Sequence, residues 1–350
     1  MSRWKSPRNS RFLRTIAALA LLLVLTIFQP IGASAQGAGR PVASSTAARR
    51  QAVTCDGVAG WMTPTVDRIN QLLELVFNPP SGMPGSADAY GQMADRLALD
   101  QQNAAAPQAV AATNENVANA FVEFAATYHA SDVLFSSLPG AVFNTASLEP
   151  LAVEIASALH GGSQFLFVAV RQISALGADC GVARAWTPLI STSGVQGLLA
   201  LPHGANAADC TGVADWMKAA RPVVEQFGAQ WVQIQTMARV DTRWWGQNVY
   251  PWEELERVTL ERALSLAIIP APAGAADLNT RLVGFFATWF DFAVAGTMST
   301  LLQLQNFVTL TENLIPQITG QYQDARAAWA SLAGNCGIAS LLPEPPVPPQ

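Results

Sequence analysis

The stretch TCDGVAGWM at residues 54–62 returns as DCTGVADWM at 209–217. Cys, Gly, Val, Ala, Trp and Met recur in the same order, each 155 residues later. The chain has four cysteines, and they fall into two kinds. Cys55 and Cys210 begin Cys-x-Gly-Val-Ala, whereas Cys180 and Cys336 begin Cys-Gly-Val-Ala and Cys-Gly-Ile-Ala. From Cys55 to Cys180 is 125 residues and from Cys210 to Cys336 is 126. Each half of the chain thus has an opening and a closing cysteine. An even count in an exported chain points to disulfides. Four cysteines allow three pairings. The equal spacing favours Cys55–Cys180 with Cys210–Cys336, and Cys55–Cys210 with Cys180–Cys336 ranks second. There is no Cys-x-x-Cys and no His beside any Cys, so neither a metal site nor a cofactor is expected.

A second match follows the first. VEFAATY at 122–128 resembles VGFFATW at 283–289, with an offset of 161 residues. Two matches in the same order, together with the cysteine spacing, read as an internal duplication.

The first 35 residues have the order of an export signal. Arg3, Lys5, Arg8, Arg11 and Arg14 precede an apolar run from Ala17 to Phe28, and Ala33-Ser34-Ala35 forms a small-residue cleavage site. Cleavage after Ala35 would place the protein outside the cytoplasm, secreted or in the cell envelope. The run is short for a membrane anchor, which needs about 20 residues. The boundaries expected from composition are a signal at 1–35, an unstructured stretch at 36–53, and a first helical module at 54–190. A linker at 191–208, a second module at 209–342 and a Pro-rich tail at 343–350 complete the chain.

Charge narrows the function classes. The chain has 20 Lys plus Arg against 25 acids. Five of those cations and none of the acids precede Ala35, so the remainder carries a net charge of −10. That argues against nucleic acid, whose binding needs clustered cations, and against adhesion to anionic lipid. Half the residues are hydrophobic and 13% are charged, so the helical faces must largely be buried.

Apolar spacing reads as helix throughout, with no alternating strand run. The fold class expected is all-α: two tandem bundles of four to five antiparallel helices, each closed by a disulfide. Thr63 is taken as an N-cap with Pro64 at the first helical position. Residues 148–177 read as one or two helices with Gly161-Gly162 as the joint, 212 to about 240 as a helix with a bend or restart at Pro222, and the long helices after 276 as interrupted near Gly296 and Pro316. Residues 282–302 carry one charge, Asp291, over 21 residues, enough by length to span a membrane. The homologous stretch in the first half carries Glu123, His129 and Asp132, so a buried helix is expected and membrane contact is not favoured.

Chemistry-bearing motifs are sparse. His129, His160 and His203 fall in no metal pattern, and no nucleophile elbow, phosphate loop or dinucleotide fingerprint occurs. EELERVTLER reads as a solvated face laced by Arg257 and Arg262. The most suggestive surface is aromatic: Trp244, Trp245, Tyr250 and Trp252, with Arg243 beside them. Exposed, such rings stack on sugars, grip cations or dip into a membrane interface; buried, they plug the end of a bundle. The function expected is an exported non-enzymatic binding or interaction protein. Its partner would be a protein, a glycan or a small apolar ligand. The alternatives are an envelope-polymer hydrolase using acidic residues and a membrane-associated subunit.

Overall fold

The computed structural model describes residues 55–77, 86–138, 145–182, 210–240 and 250–343. The expected export signal, the expected linker, most of the Trp-bearing segment and the Pro-rich end lie outside them. Within the described residues there are eight α-helices and no strand. The first half holds α1 (Val58–Phe77), α2 (Ser86–Gln102), α3 (Ala111–Ser137) and α4 (Glu149–Asp179). The second half holds α5 (Val213–Val240), α6 (Tyr250–Ile268), α7 (Ala276–Leu302) and α8 (Gln305–Asn335).

Both bridges of the favoured pairing are present, Cys55–Cys180 and Cys210–Cys336, each with Cα atoms 5.5 Å apart. Each ties the start of a first helix to the end of a fourth. The two kinds of cysteine motif have different backbone jobs. At the openings, Gly57 and Gly212 both take φ +75°, and the next residue's N–H returns to the cysteine carbonyl, Val58 to Cys55 and Val213 to Cys210. The intervening residue is the one needed to complete that turn. At the closings the cysteine is itself the helix C-cap, and Gly181 and Gly337 follow at φ +62° and +66°. Val182 N–H reaches back to Gly177 O and Ile338 N–H to Ala333 O, both at 2.8 Å. This is the left-handed glycine cap that satisfies the last carbonyls of a helix, so Cys and Gly must be adjacent there.

The repeated Val, Trp and Met are core. Val58, Trp61 and Met62, and likewise Val213, Trp216 and Met217, are all buried in the first turns of α1 and α5. The helix therefore begins at the motif itself. Thr63 is no N-cap: its hydroxyl donates to Ala59 O one turn back, and Pro64 sits inside α1.

Four other sites expected to break or bend a helix lie inside continuous helices. α4 runs unbroken through Gly161-Gly162, because the pair serves a helix crossing. A Cβ on Gly162 would lie 3.1 Å from the Phe124 ring and 3.2 Å from Glu123 Cβ, so α3 side chains fill the space where α4 has none. α5 passes through Pro222, and Gly296 and Pro316 lie inside α7 and α8. The reversal between α7 and α8 comes at Gln303, in the left-handed region with φ 55°.

α7 is the centre of the second half. It packs on α6 and α8, and α4 of the first half lies against both α6 and α7. Leu282, Phe285, Phe286, Trp289, Phe292 and Met298 are all buried. Two helical stretches are long and apolar enough to cross a membrane, Ala273–Leu302 and Ala146–Asp179. In the first, 78% of the apolar window is buried within the protein.

Removing one bridge tests how much the fold leans on it. The variant Cys55→Ala/Cys180→Ala is expected to lose about 4–5 kcal/mol by the chain-entropy model of a loop this long. Urea denaturation of the oxidised protein beside the variant reads it.

Candidate functional site

In the first half a buried polar network joins α1, α2 and α3. The Gln101 side chain is fully buried and fully paired. Its Oε1 accepts from Arg68 at 3.0 Å, and its Nε2 donates to Thr65 Oγ1 at 3.1 Å and to Asn114 Oδ1 at 2.7 Å. Asn114 Oδ1 also accepts the Trp61 indole N–H at 2.9 Å. Each polar atom shielded from water is thereby matched, as burial demands.

The second half keeps part of this arrangement. The sequence PQAVAATN at 107–114 is answered by PAGAADLN at 272–279. Both prolines precede a short 3-10 turn, and both asparagines are the fourth residue of the third helix. Ten residues after the opening cysteine, Thr65 is replaced by Ala220; six before the proline, Gln101 is replaced by Leu266. Trp216 and Asn279 remain. Both are buried, and the Trp216 indole nitrogen and both Asn279 amide atoms have no hydrogen-bond partner. Leu266 has no side-chain amide to donate to Asn279 as Gln101 donates to Asn114, and Trp216 and Asn279, though both present, are not bonded to each other as Trp61 and Asn114 are. This register differs by one helical turn from that of VEFAATY and VGFFATW, which sit twelve and eight residues into their helices.

Of the aromatic residues singled out in the sequence, Trp252 is core, and Trp231 on α5 is buried with it. Trp231 packs on Trp289 at 4.9 Å between ring centroids, Trp289 on Phe292 at 5.5 Å, and Phe292 on Trp252 at 5.4 Å. Edge-to-face contacts thus run from α5 through α7 to α6. The Trp252 ring occupies the space above Gly296 where a side chain would otherwise stand. Arg243, Trp244 and Trp245, and the side chain of Tyr250, lie outside the described residues.

Acidic groups gather on the first turns of α6. Glu256 is largely shielded, and burial pushes its carboxyl up to about 7; Thr297 bonds it and opposes the shift, while Glu253 nearby adds to it. Glu253 is itself raised by burial. Further along the helix the expected solvated face is only partly solvated. Arg257 does bridge Glu254 and Glu261. Glu261 and Arg262, however, are buried, because α5 lies over them. Arg262 donates to Gln226 at 2.7 Å, to Gln230 at 3.1 Å and to Glu261 at 3.2 Å.

Both helical histidines are paired with carboxylates. His129 meets Asp88 through Nδ1 and Asp95 through Nε2, both at 2.9 Å. Gly91, midway between those acids on α2, makes room for the ring, since a Cβ there would come within 2.7 Å of it. Two carboxylates on two ring nitrogens favour the imidazolium. The bond to Asp95 raises the His129 pKa, partial burial opposes, and Asp88 adds to the rise. His160 meets both oxygens of Asp291. Among the described residues no group of His, Cys, Asp and Glu is arranged to hold a metal ion. His203 lies outside them.

No family model matches this chain, and neither the curated proteins nor the solved structures contain a match.

The two asparagines should respond oppositely to the same change. Asn279→Leu removes unpaired buried polar atoms and is expected to be neutral or to stabilise by about 1–2 kcal/mol. Asn114→Leu strands Gln101 and Trp61 and is expected to cost about 2–3 kcal/mol. Chemical denaturation of the two variants side by side reads the sign. Gly296→Ala drives a methyl into the Trp252 ring and is expected to cost about 1–3 kcal/mol, with a shift in tryptophan emission.

Proposed function

We propose that the chain is an exported, non-enzymatic binding protein built from two duplicated helical modules. Two disulfides suit an oxidising compartment outside the cytoplasm. Duplication is supported by the parallel cysteine turns and caps, the buried Trp and Met that follow each opening cysteine, and the Pro-turn-helix-Asn element in each half.

The observation that carries the binding role is the anchoring on both sides of the Trp-bearing segment. α5 buries Trp231 and Ile234 before it, and α6 buries Trp252 and Leu255 after it. Arg243, Trp244 and Trp245 fall between these anchors. A segment whose flanks are fixed loses less freedom on binding, and paired indoles beside a guanidinium suit a sugar face or another flat apolar ligand. The test is a glycan and small-ligand screen by tryptophan fluorescence, followed by Trp244→Ala/Trp245→Ala. The double variant is expected to weaken binding at least tenfold with unchanged helical content. Unaltered binding, or no ligand in the screen, overturns the assignment.

A second reading rests on Glu256. A carboxylic acid kept protonated near neutral pH by burial is what a general acid in glycoside hydrolysis needs, with Glu253 one turn away as its companion. Under this reading Glu256→Gln abolishes hydrolysis of envelope polymers while leaving binding in place. Turnover of such polymers by the unmodified protein is its first requirement.

A further inference from the structure

α4 packs on α3 of the first half and also lies along the second. Three side-chain contacts mark its course. Asn306 Nδ2 donates to Glu149 at 3.0 Å, His160 Nδ1 lies 2.9 and 3.0 Å from the two oxygens of Asp291, and Arg171 donates to Thr280 at 2.6 Å. Glu149, His160 and Arg171 are spaced by 11 residues, about three turns, so they form one line along the helix. Asp291 and Thr280 are also 11 apart and run the opposite way, as an antiparallel helix pair requires. The Arg171–Thr280 contact is exposed to water. The middle contact is not: the Asp291 side chain is 9% exposed and that of His160 is 21%. Of the ion pairs among the described residues, His160–Asp291 is the one that joins the two halves.

We propose that His160 and Asp291 form a proton-operated joint between the halves, closed while the imidazole is charged and loosened when alkaline medium removes that proton. A buried carboxylate is tolerated when a cation shares its site, and removal of the cation leaves the charge stranded. His160 is the charged group that bears on Asp291. Other ionisable groups on the neighbouring helices are engaged elsewhere. On α6, Glu256 is bonded by Thr297, and Glu254, Arg257, Glu261 and Arg262 form their own network. On α7, Asp277 and Arg281 pair with each other. On α3, Glu123 lies over Gly161, beside His160, and is raised by burial. On α8, Glu312 and Asp324 are exposed. Arg326 is the cation on α8, and no charged group other than His160 bears on Asp291.

The direction of the pH effect follows from both partners. Burial lowers the His160 pKa, but its bonds and charge contact with Asp291 outweigh that and leave it above the ordinary 6.5. The stability His160 contributes is then full below 6.5 and lost as pH rises through the higher folded value. Burial raises Asp291 above its ordinary 3.8, so ionising it costs the fold more than it costs the unfolded chain, and stability falls through that lower window too. Both contributions fall as pH rises, and the charged pair itself exists only above the Asp291 window and below the His160 one, so loss of the joint is read between mild acid and mild alkali.

The test is amide hydrogen exchange of the oxidised full chain at about pH 5.5 and about pH 8, corrected for the intrinsic rate change. Peptides from 149–179 and 276–302 are expected to lose protection several-fold at the higher pH. Asp291→Asn keeps a hydrogen-bond acceptor for His160 without the charge and is expected to flatten that difference. Equal protection of the parent protein at both pH values overturns the proposal, as does an Asp291→Asn protein that keeps the full difference. Should that variant not fold, His160→Gln carries the same expectation. His129→Gln is the control: it removes the other raised histidine, and the seam's pH response should survive it.

Discussion

Burial of α7 is the constraint on which the rest of the structure depends. Its aromatic residues cannot be covered by one neighbour, so α5, α6 and α8 of its own half and α4 of the other close around it. Phe227 and Trp231 reach it from α5, Tyr322 from α8 and Trp252 from α6. Each large aromatic side chain removes upwards of about 150 Å² from water. That burial also sets a cost, because Asp291 is carried inward with the apolar residues around it. His160 answers this cost from across the seam. The joint between the halves and the core of the second half therefore stem from one helix.

The disulfides act on a different level. Each lies at the end of a half, where a first helix starts and a fourth helix stops, and each is set by a glycine in the left-handed region. They limit the freedom of the unfolded chain and hold helix ends that would otherwise fray. They do little to position side chains deeper in the bundle, where the two halves differ most. In the first half Gln101 pairs a cluster of buried polar groups, while Ser174 Oγ stays unpaired. The second has leucine at the matching place and an interior of indole and phenyl rings, and its Asn279 and Trp216 side chains are unpaired. A core that trades hydrogen bonds for aromatic contacts gains area and keeps unpaired groups as the remainder.

Legibility from sequence followed the range of the physics involved. The cysteine pairing was readable because equal spacing and local glycine chemistry repeat along the chain. Helix existence was readable because apolar periodicity is local. The breaks were misjudged for a consistent reason. Gly161-Gly162, Gly296, Pro222 and Pro316 are weak helix formers, so propensity suggests interruption, whereas tertiary packing holds the helices through them. For Gly162 and Gly296 the missing side chain is what admits Phe124 and Trp252. The Pro-turn-helix-Asn element was legible but passed unnoticed, since only Pro, one Ala and Asn recur in it.

The sequence alone determined the helical class, the two bridges and the burial of each opening motif, because those rest on local backbone conformation and on periodicity. Tertiary structure alone decided that Trp252 is core, that Glu261 and Arg262 lie beneath α5, and that His160 meets Asp291 from the other half of the chain. Those outcomes depend on which helix faces meet. Residues 131 positions apart come within hydrogen-bond reach only once α4 is laid along α7.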